Sequence, residues 1–596
     1  MRRPATTLCG PGSGEAKGIR RRNGVAPSHL HVHVAGADGG PEQQPTGTAG
    51  EAPCDARGVQ TRSHCRDCGE DVRRGWARRR YPAASVSDSF FITTPIYYVN
   101  ADPHVGHAYT TIMADVIARH HRQLGDDVFF LTGTDEHGAK IAQAAEALGR
   151  TPREHADELS GRFRALGALL GATNDFFIRT TDDQHTAVVQ QLIQRMHDNG
   201  DIYKGSYGGW YCTSCETFYN EGDLAEGQQC PTHQRPVEWI EEENWFFRLS
   251  AYQERLLAQY EAVPQFVRPK SRMNEARSMV EMGLDDLSMS RAQVEWGVTV
   301  PWDPTHTVYV WVDALFNYYT ALTYARPGED LLDRFWPPTV QLMAKDILKF
   351  HAVIWPALLM SADLALPDRL FVHGYILKGG ERLSKTTGNI VDPFPYIERY
   401  GLDALRYYLA REIRFGDDGT FTDEGFHQRY TSELANDFGN LLSRSAKMVE
   451  RYRDGVVPAD PGGDADLAAE CDAARDAVCA HFAKDDITGA VEAAWVWIRR
   501  LNRLVEEREP WVLAKDDANA AALDQVLFSL IAGLRVAAIL LWPVIPGSCE
   551  KVLVALGEPV DRVSLNAATW DGGTPNAVVA PGDPLFPRIE VQEPAA

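Results

Sequence analysis

The feature that most limits the fold of this chain is a repeated order of strand, loop and helix that begins at Ser89. A β-branched and aromatic run from Ser89 to Thr94 is followed by a loop and by a helical pattern from about Gly106 to Leu124. A second apolar run, Val128 to Thr132, precedes another loop and a helix that continues to Leu148. This alternation predicts an α/β fold with a doubly wound parallel sheet. Such sheets bind nucleotides at the carboxyl ends of their strands.

The rest of the chain divides into segments of different character. Further strand-like runs extend the sheet at Val308–Val312, Gln341–Ala344 and Leu370–Val372. A stretch rich in Gly, Cys, Pro and Glu lies between Tyr203 and Asn244, which indicates an inserted module. After about Phe426 the strands stop, and long amphipathic patterns predict a helical bundle over residues 427–451, 464–482, 485–507 and 520–542.

The first 88 residues differ from everything that follows. They are rich in Gly, Pro, Ala and Arg and have no periodic apolar pattern. This composition buries too little apolar surface to offset the entropy cost of ordering, so we expect a mostly disordered extension. The alternative is that translation starts later than the sequence assigns. Their CxxC pair, Cys65 and Cys68, has no matching second pair and is interpreted as a chance spacing.

Composition excludes several classes of protein. With 596 residues and a net charge of −22, the chain is too acidic for a wholesale nucleic-acid coat protein, although a local basic groove stays possible. Ten cysteines in this length rule out a disulfide scaffold. The apolar run from Val526 to Pro546 contains Arg535 and Pro543, so we expect a bundle helix rather than a membrane span. Without a secretory pattern, a cytoplasmic protein is expected.

Two histidines and a glycine stand at the start of the first predicted helix, namely His104, Gly106 and His107. A helix N-terminus offers backbone N–H groups and a positive dipole end, and both suit phosphate. Gly106 lets a phosphate or a base approach the backbone closely. Two ordinary surface histidines explain this short motif equally well when it is taken alone.

A second cationic motif lies far downstream, where Lys385 follows the pair Gly379 and Gly380. We expect the glycine pair to let this loop move. A lysine ammonium is a compact charge that matches a phosphate oxygen. A solvated basic loop is the alternative, but both motifs in this order on this strand pattern favour a nucleotide site.

The inserted module contains a metal-ligand spacing. A CxxC motif and a CxxH motif are separated by fourteen residues. The ligands would be Cys212, Cys215, Cys230 and His233. Three thiolates and one imidazole close a tetrahedral site that suits Zn²⁺, and four filled positions make it structural. The alternative is a pair of disulfides, which a cytoplasmic protein disfavours.

The two cationic motifs resemble the signatures of class I aminoacyl-tRNA synthetases. His104-Val-Gly-His107 is similar to their HIGH motif, and Arg382-Leu-Ser-Lys385-Thr386 is similar to their KMSKS loop, with Val for Ile and Arg for the first Lys. Colinear hallmarks extend the resemblance from about Ser89 to about Gly557 and narrow it to the methionyl-tRNA synthetases. These hallmarks are Phe91–Asn100, Thr132–Gly138, Tyr309–Ala314, Lys345–Ile347 and Asp403–Tyr408.

The resemblance implies a division of the chain into domains. The catalytic Rossmann-like domain would be formed by two segments with the zinc-knuckle connective peptide between them, and an anticodon-binding bundle would follow. The expected bounds are an extension at 1–88, the catalytic domain at 89–203 and 245–375, the connective peptide at 204–244, the KMSKS loop and stem-contact region at 376–426, the bundle at 427–570 and a tail at 571–596.

The resemblance also implies the substrate sites. ATP would meet His104, Gly106, His107, Gly374, Ser384 and Lys385. Asp135 would hold the methionine ammonium, a charge-assisted contact, and Arg291 would lie near the carboxylate. The side-chain walls would be Ile96, Tyr98, Trp311, Ala314, Tyr318, Ile347, Phe350, His351 and Trp355. Aromatic walls suit a polarizable thioether, although Phe350 and Trp355, taken alone, are better explained as core residues.

A last group of residues lies in the helical region. Asn440 and Arg444 share a helix face, and Trp511 stands at a helix start. Arginine and asparagine can bond base edges, and tryptophan can stack on an unpaired base. The resemblance implies that they read the CAU anticodon, whereas a capping Asn and a buried Trp are the alternative.

The resemblance implies a methionine–tRNA ligase. Methionine and ATP would form methionyl-adenylate with Mg²⁺ bound mainly through the substrate phosphates, and the methionyl group would pass to initiator and elongator tRNA(Met). We expect a monomer, because little sequence follows the bundle. A cysteine or leucine synthetase and a non-catalytic tRNA-binding relative are the alternatives. Intact His104, His107, Asp135 and Lys385 argue against the last.

Overall fold

The computed structural model describes residues 88–589, apart from 213–216, 220, 232–233, 293, 384–388 and 463. The expectations for residues 1–87, including Cys65 and Cys68, lie outside the described residues. So do four of the predicted site residues, Cys215, His233, Ser384 and Lys385.

The segment before the inserted module alternates strands and helices. In chain order its elements are β1 Ser89–Thr93, β2 Tyr97–Tyr98, α1 Val105–Leu124, β3 Asp127–Asp135, α2 Ala139–Ala147, α3 Pro152–Leu169, β4 Phe176–Arg179 and α4 Asp183–Asp198. The inserted module contributes β5 Ile202–Cys212, β6 Thr217–Tyr219 and β7 Glu238–Phe247.

The segment after the module returns to the same alternation. Its elements are α5 Gln253–Ala262, β8 Val267–Arg268, α6 Lys270–Glu281, β9 Leu287–Ser288, β10 Ser290–Arg291, β11 Thr299–Val300, β12 Asp303–Val308, α7 Val310–Leu315, α8 Asn317–Tyr324, α9 Leu332–Phe335, β13 Val340–Ala344, α10 Trp355–Ser361 and β14 Leu370–His373. A π-helical turn, Phe350–Ile354, precedes α10.

The central sheet is parallel throughout, in the order β2-β3-β1-β13-β14-β8 with β4 paired to β3. In its centre Phe91 of β1 lies opposite Phe129 of β3, and Ile92 lies opposite Val340 of β13. All three central strands are buried almost along their whole length, as a sheet covered by helices on both faces requires. The predicted doubly wound parallel sheet is confirmed.

One predicted strand is wrong. The run Val308–Val312 was expected to be a strand, but β12 ends at Val308 and residues 310–315 form α7. Most of α7 is buried, so its sequence is apolar without a helical period. Periodicity cannot distinguish such a short buried helix from a buried strand.

The carboxyl-terminal half is helical after a small antiparallel turn. Its elements are β15 Ile376–Lys378, β16 Glu381–Arg382, α11 Phe394–Tyr400, α12 Leu402–Glu412, β17 Gly419–Thr420, α13 Asp423–Arg429, α14 Asn440–Arg453, α15 Ala465–Phe482, α16 Ile487–Arg508, α17 Pro510–Leu513, α18 Ala520–Leu541 and α19 Pro546–Ala555, with a π-helical segment Tyr430–Gly439 before α14. The predicted helical bundle is confirmed.

The most apolar helix of the described residues lies in the bundle core. The segment Asp517–Leu541 is long and apolar enough to cross a membrane, but its most apolar stretch is mostly buried inside the protein. It packs against α15 and α16, where Trp497 donates a 2.9 Å hydrogen bond from its indole N–H to Gly533 O. Packing within the bundle therefore accounts for its composition.

The described part of the tail lies on the bundle. Val578 pairs with Val456 as an isolated antiparallel bridge. Phe586 is buried, and the hydroxyl of Tyr430 donates a 2.7 Å hydrogen bond to Pro587 O. Residues 571–589 thus add to the outer layer of the bundle.

Candidate active site

A cavity of about 660 Å³ opens where β1, β3 and β14 end at their carboxyl edges. A doubly wound sheet places its ligand site at this edge. The cavity brings together residues predicted for both substrates. The predicted residues that line it are Ile96, Tyr98, His104, Gly106, His107, Asp135, Trp311, Ala314, Tyr318, Ile347, His351 and Gly374.

His104 and His107 hold the start of α1 by capping it reciprocally. His104 is the N-cap residue, and its Nδ1 accepts the backbone N–H of Gly106 at 3.0 Å. The Nδ1 of His107 accepts the backbone N–H of His104, also at 3.0 Å. Because both Nδ1 atoms accept, each neutral ring carries its proton on Nε2. The helix end therefore presents two imidazole N–H donors in the cavity wall.

Gly106 is required by this cap. A Cβ atom at this position would lie 2.8 Å from Cε1 of His104, closer than side-chain contacts allow. Gly106 also lines the cavity, so the prediction that it lets a ligand approach the backbone stays a prediction, and the structure adds that it admits the His104 ring. Gly374 is also closed in, because a Cβ atom there would meet the backbone O of Asp417 at 2.2 Å.

The floor of the cavity is an acidic carboxylate over a buried polar network. Asp135 ends β3 and is 8% exposed. Nearby in sequence, His137 Nδ1 lies 2.7 Å from Asp313, and His185 Nε2 lies 2.9 Å from the other oxygen of that carboxylate. Burial alone would raise the pKa of Asp313, but the two histidines outweigh it and lower the pKa to about 2. Asp313 is therefore ionised at neutral pH and fixes both rings.

Part of the lining is an aromatic wall formed by Trp311, Tyr318 and His351. Trp311 stacks on Phe350 with ring centroids 3.8 Å apart. The ring N–H of His351 at Nδ1 donates to Ile347 O at 3.1 Å, so its Nε2 accepts the Tyr318 hydroxyl at 2.8 Å. Burial lowers the pKa of His351 to about 4, which keeps the ring neutral. The wall is thus aromatic and uncharged.

Three predicted residues lie behind this cavity lining. Phe350 backs Trp311, and Trp355 is fully buried with its indole N–H donated to Gln341 at 3.1 Å. Arg291 is 8% exposed, and its guanidinium lies over the Tyr309 ring and donates to Ser288 and Ser290. Phe350 and Trp355 therefore support the wall from outside the lining, through Trp311 and Tyr318, whereas Arg291 lies outside the lining beside Tyr309.

The cavity also contains residues that were not predicted as site residues, although Arg382 and Asp346 lie within motifs quoted above. His373 donates from Nδ1 to Gly374 O at 2.8 Å, and its Nε2 accepts the Thr110 hydroxyl at 2.9 Å. Tyr375, Arg382 and Asp346 line the mouth. Their polar side chains near strand ends could have marked them, since Asp346 lies in the run Lys345–Ile347 and Tyr375 is the second residue after β14.

The glycine pair before the second motif forms a tight turn. Gly379 and Gly380 have φ of +63° and +80°, and β15 and β16 pair antiparallel across them. Positive φ at both central residues is the requirement of a two-residue hairpin turn. The pair was expected to make the loop mobile, but what it provides here is turn geometry.

The inserted module buries the two cysteines that the structure describes. Cys212 is 2% exposed and Cys230 is fully buried, in a small cluster with Val237, Trp210 and Tyr219. Cys215 and His233 lie outside the described residues. Among the residues that the structure does describe, no group of three or more potential ligands converges on one point.

The predicted anticodon residues lie at one end of the bundle. Asn440 is exposed at the start of α14. Arg444 donates to Glu506 at 3.1 Å and to Asn502 at 3.2 Å, both on α16. Trp511 lies in the short helix α17, just after the end of α16. It is 40% exposed, so it is not a core tryptophan. Asn440 and Trp511 are therefore exposed to solvent, whereas Arg444 is half-buried and bonded to α16.

Comparison with known proteins gives one consistent family. Residues 90–446 match the family described as tRNA synthetases class I (M). The methionine–tRNA ligase of Thermotoga maritima is 44% identical over 512 residues, which cover 85% of this chain and 81% of that protein. The methionine–tRNA ligase of Streptomyces coelicolor is 45% identical, with 85% and 98% covered. A structure of Mycobacterium tuberculosis methionyl-tRNA synthetase with methionyl-adenylate has a TM-score of 0.80 at 43% identity and covers 84% of this chain and 100% of that one.

Proposed function

We propose the roles of individual residues from one premise: the chain belongs to the methionyl-tRNA synthetases, a family of class I tRNA synthetases. It is an enzyme that uses ATP and Mg²⁺ to ligate L-methionine to tRNA(Met) through methionyl-adenylate, for translation. The observation that carries the residue assignments is the shared cavity, which places His104, His107 and Asp135 in one lining.

In the first step, a carboxylate oxygen of methionine attacks the α-phosphorus of ATP. A new P–O bond forms, the bond to the bridging oxygen breaks, and pyrophosphate leaves with the electron pair. We assign the Nε2–H donors of His104 and His107 to the phosphate oxygens, because capping fixes their tautomer before substrate arrives. Donors that are already oriented towards developing charge lower the barrier. Lys385 and Ser384 are proposed for the pyrophosphate, with Gly106 and Gly374 shaping the site.

The methionine subsite uses the other half of the cavity. Asp135 would hold the substrate ammonium by a charge-assisted hydrogen bond. Ile96, Tyr98, Trp311, Ala314, Tyr318, Ile347 and His351 would enclose the thioether, with Phe350 and Trp355 supporting the wall from behind. Arg291 would lie near the substrate carboxylate, as the resemblance implies. Because the wall holds no charge, a polarizable apolar side chain is preferred over a charged one.

In the second step, a ribose hydroxyl of the terminal adenosine attacks the methionyl carbonyl, and AMP leaves. By family resemblance this is the 2′-hydroxyl. Asn440, Arg444 and Trp511 are proposed to read the anticodon, since an exposed indole beside amide and guanidinium groups suits unpaired bases. Initiator and elongator tRNA(Met) would both be substrates. The domain bounds given above, a monomeric state and a cytoplasmic location belong to the same proposal.

The inserted module is proposed to hold one structural Zn²⁺. The buried thiols of Cys212 and Cys230 fit this donor set, because thiolates in an otherwise small core suit a soft metal. Cys215 and His233 would complete the site. Bound zinc would supply folding free energy to the module and no chemical step.

Charging of transcribed tRNA tests the whole assignment. The full chain with ATP, Mg²⁺ and methionine should charge a tRNA(Met) transcript with a CAU anticodon and should charge the same transcript with a changed anticodon far more slowly. Equal charging of both transcripts would overturn the anticodon assignment, and no charging of either would overturn the proposed function.

A further inference from the structure

A tyrosine at the cavity mouth contacts two cations through its ring. The guanidinium carbon of Arg382 lies 4.0 Å from the ring centroid of Tyr375. The ammonium of Lys345 lies 4.3 Å from the same centroid. Tyr375 and Arg382 both line the cavity, whereas Lys345 does not. The ring is therefore a contact point between the sheet edge and the start of the second motif.

The two cations differ in their other partners. Lys345 Nζ lies 2.7 Å from Oδ2 of Asp418, and Oδ1 of the same carboxylate accepts the backbone N–H of Tyr375 at 2.8 Å. Asp418 thus neutralises Lys345 and ties it to the tyrosine backbone. Within the described parts of the chain, Arg382 makes no ion pair, and its guanidinium contacts the Tyr375 ring. Its charge stays available at the mouth.

The backbone of Arg382 is already fixed. It pairs with Leu377 in the β15–β16 hairpin, and the side-chain amide of Asn389 donates to its carbonyl at 3.1 Å. The remaining freedom lies in the long arginine side chain, which loses rotamer entropy when it is ordered. A ring that orders the guanidinium before ATP binds removes that cost from the binding step.

Stacking suits this purpose because of the shape of the guanidinium. When a guanidinium stacks on an aromatic ring by its face, its N–H donors point outward in the plane of the group. The same donors match phosphate oxygens in bidentate geometry. A salt bridge to a carboxylate would occupy those donors, and the aromatic contact leaves them for a ligand.

We propose that Tyr375 is a positioning residue that holds the Arg382 guanidinium over its ring at the cavity mouth, ready for the triphosphate of ATP. The proposal rests on the proposed function, because it takes ATP as the ligand of this cavity. Tyr375 acts through Arg382 and needs no contact of its own with the reacting atoms.

The test is a double-mutant cycle measured by methionine-dependent pyrophosphate exchange in the full chain. Tyr375→Leu should lower kcat/KM for ATP by about 2- to 30-fold, the range that a cation–π contact represents. The KM for methionine should stay within about twofold of that of the parent, because the aromatic wall is unchanged. Tyr375→Phe keeps the ring and should retain most of the parent kcat/KM for ATP.

Two backgrounds identify the partner. In Arg382→Met, the further change Tyr375→Leu should cost little, since the guanidinium that the ring positions is gone. In Lys345→Met, which removes the neutralised cation, Tyr375→Leu should still cost its full factor. Equal losses in the parent and in Arg382→Met would overturn the proposal, as would a Tyr375→Phe variant as impaired as Tyr375→Leu. A parent enzyme without exchange activity would instead overturn the proposed function, so the two failures are distinguishable.

Discussion

The carboxylate of Asp115 and the guanidinium of Arg406 lie 2.7 Å apart, and neither side chain is exposed to solvent. Asp115 belongs to α1, the helix that His104 and His107 cap. Arg406 belongs to α12 and also donates to Pro543 O at 2.9 Å and to Val544 O at 2.8 Å, in the turn between α18 and α19. One buried ion pair thus joins the helix of the adenylation site to the helical bundle.

Asp115→Asn should therefore destabilise the protein strongly. The change leaves a buried guanidinium without its counter-charge, which costs about 3–5 kcal/mol of unfolding free energy. Denaturant unfolding monitored by fluorescence measures it. The control is Glu470→Gln, which breaks the ion pair between Glu470 and Arg500. The Glu470 side chain is 47% exposed, so this change should lower the unfolding free energy by less than about 1 kcal/mol. Equal effects would contradict the buried-pair account.

The same pair adds an acid-sensitive component to stability. Burial alone would raise the pKa of Asp115, but the charges of Arg406 and Arg119 outweigh it and hold the pKa below its usual value. A carboxyl with a lowered folded pKa contributes stability above its unfolded pKa of about 3.9 and loses it as pH falls through the folded pKa. The Asn variant should lack this component of the stability loss below about pH 4.

Substitution of His104 should separate its capping role from its catalytic role. Asparagine is among the best N-cap residues, so His104→Asn should keep the stability of the parent, whereas His104→Ala should cost about 1 kcal/mol. Both variants lack the Nε2–H donor. The rate of pyrophosphate exchange should therefore fall by about 10²–10³, the usual effect of removing one preorganised hydrogen-bond donor. Full activity in a stable His104→Asn variant would show that the ring serves only as a cap.

Features that depend on residues close together in the sequence were predicted well, whereas features that depend on residues far apart in the sequence were not. The start of α1 was predicted to within one residue of Val105, because the loop and the apolar period are local. The contact between Thr110 and His373 spans 263 residues and depends on the order of the strands in the sheet. The stacking of Arg382 on Tyr375 depends on a hairpin turn, whose glycines we interpreted as a source of mobility. Motifs predicted the site, and topology decided which side chains line it.

Metal analysis should find one zinc per chain. Cys212 and Cys230 are buried in the inserted module, and each would bind as a thiolate. The double variant Cys212→Ser/Cys230→Ser should lose the metal, while Cys549→Ser, a buried cysteine of the bundle, should keep it. Zinc near zero in the parent, or full zinc in the double variant, would contradict the site. More than one zinc per chain would indicate a second site that includes Cys65 and Cys68.

Trp511→Ala should impair charging and spare adenylate formation. The indole is 40% exposed at the end of the bundle, so its removal leaves the cavity unchanged. The loss of one stacked base costs ~1–3 kcal/mol, which is a factor of roughly 5 to 150 in the tRNA-dependent rate. Val512→Ala, at the exposed neighbouring residue, is the matched control and should change neither rate. If pyrophosphate exchange falls as much as charging, the tryptophan has a structural role.

The most direct test of the central claim, that this cavity makes methionyl-adenylate, is amino-acid-dependent pyrophosphate exchange without tRNA. The full chain with ATP and Mg²⁺ should incorporate labelled pyrophosphate into ATP when methionine is added, and far less with leucine, valine or cysteine. Asp135→Asn should reduce the exchange by weakening the hold on the substrate ammonium, a charge-assisted bond worth about 1.5–3 kcal/mol. Exchange that does not depend on methionine, or that is fastest with another amino acid, would contradict the account.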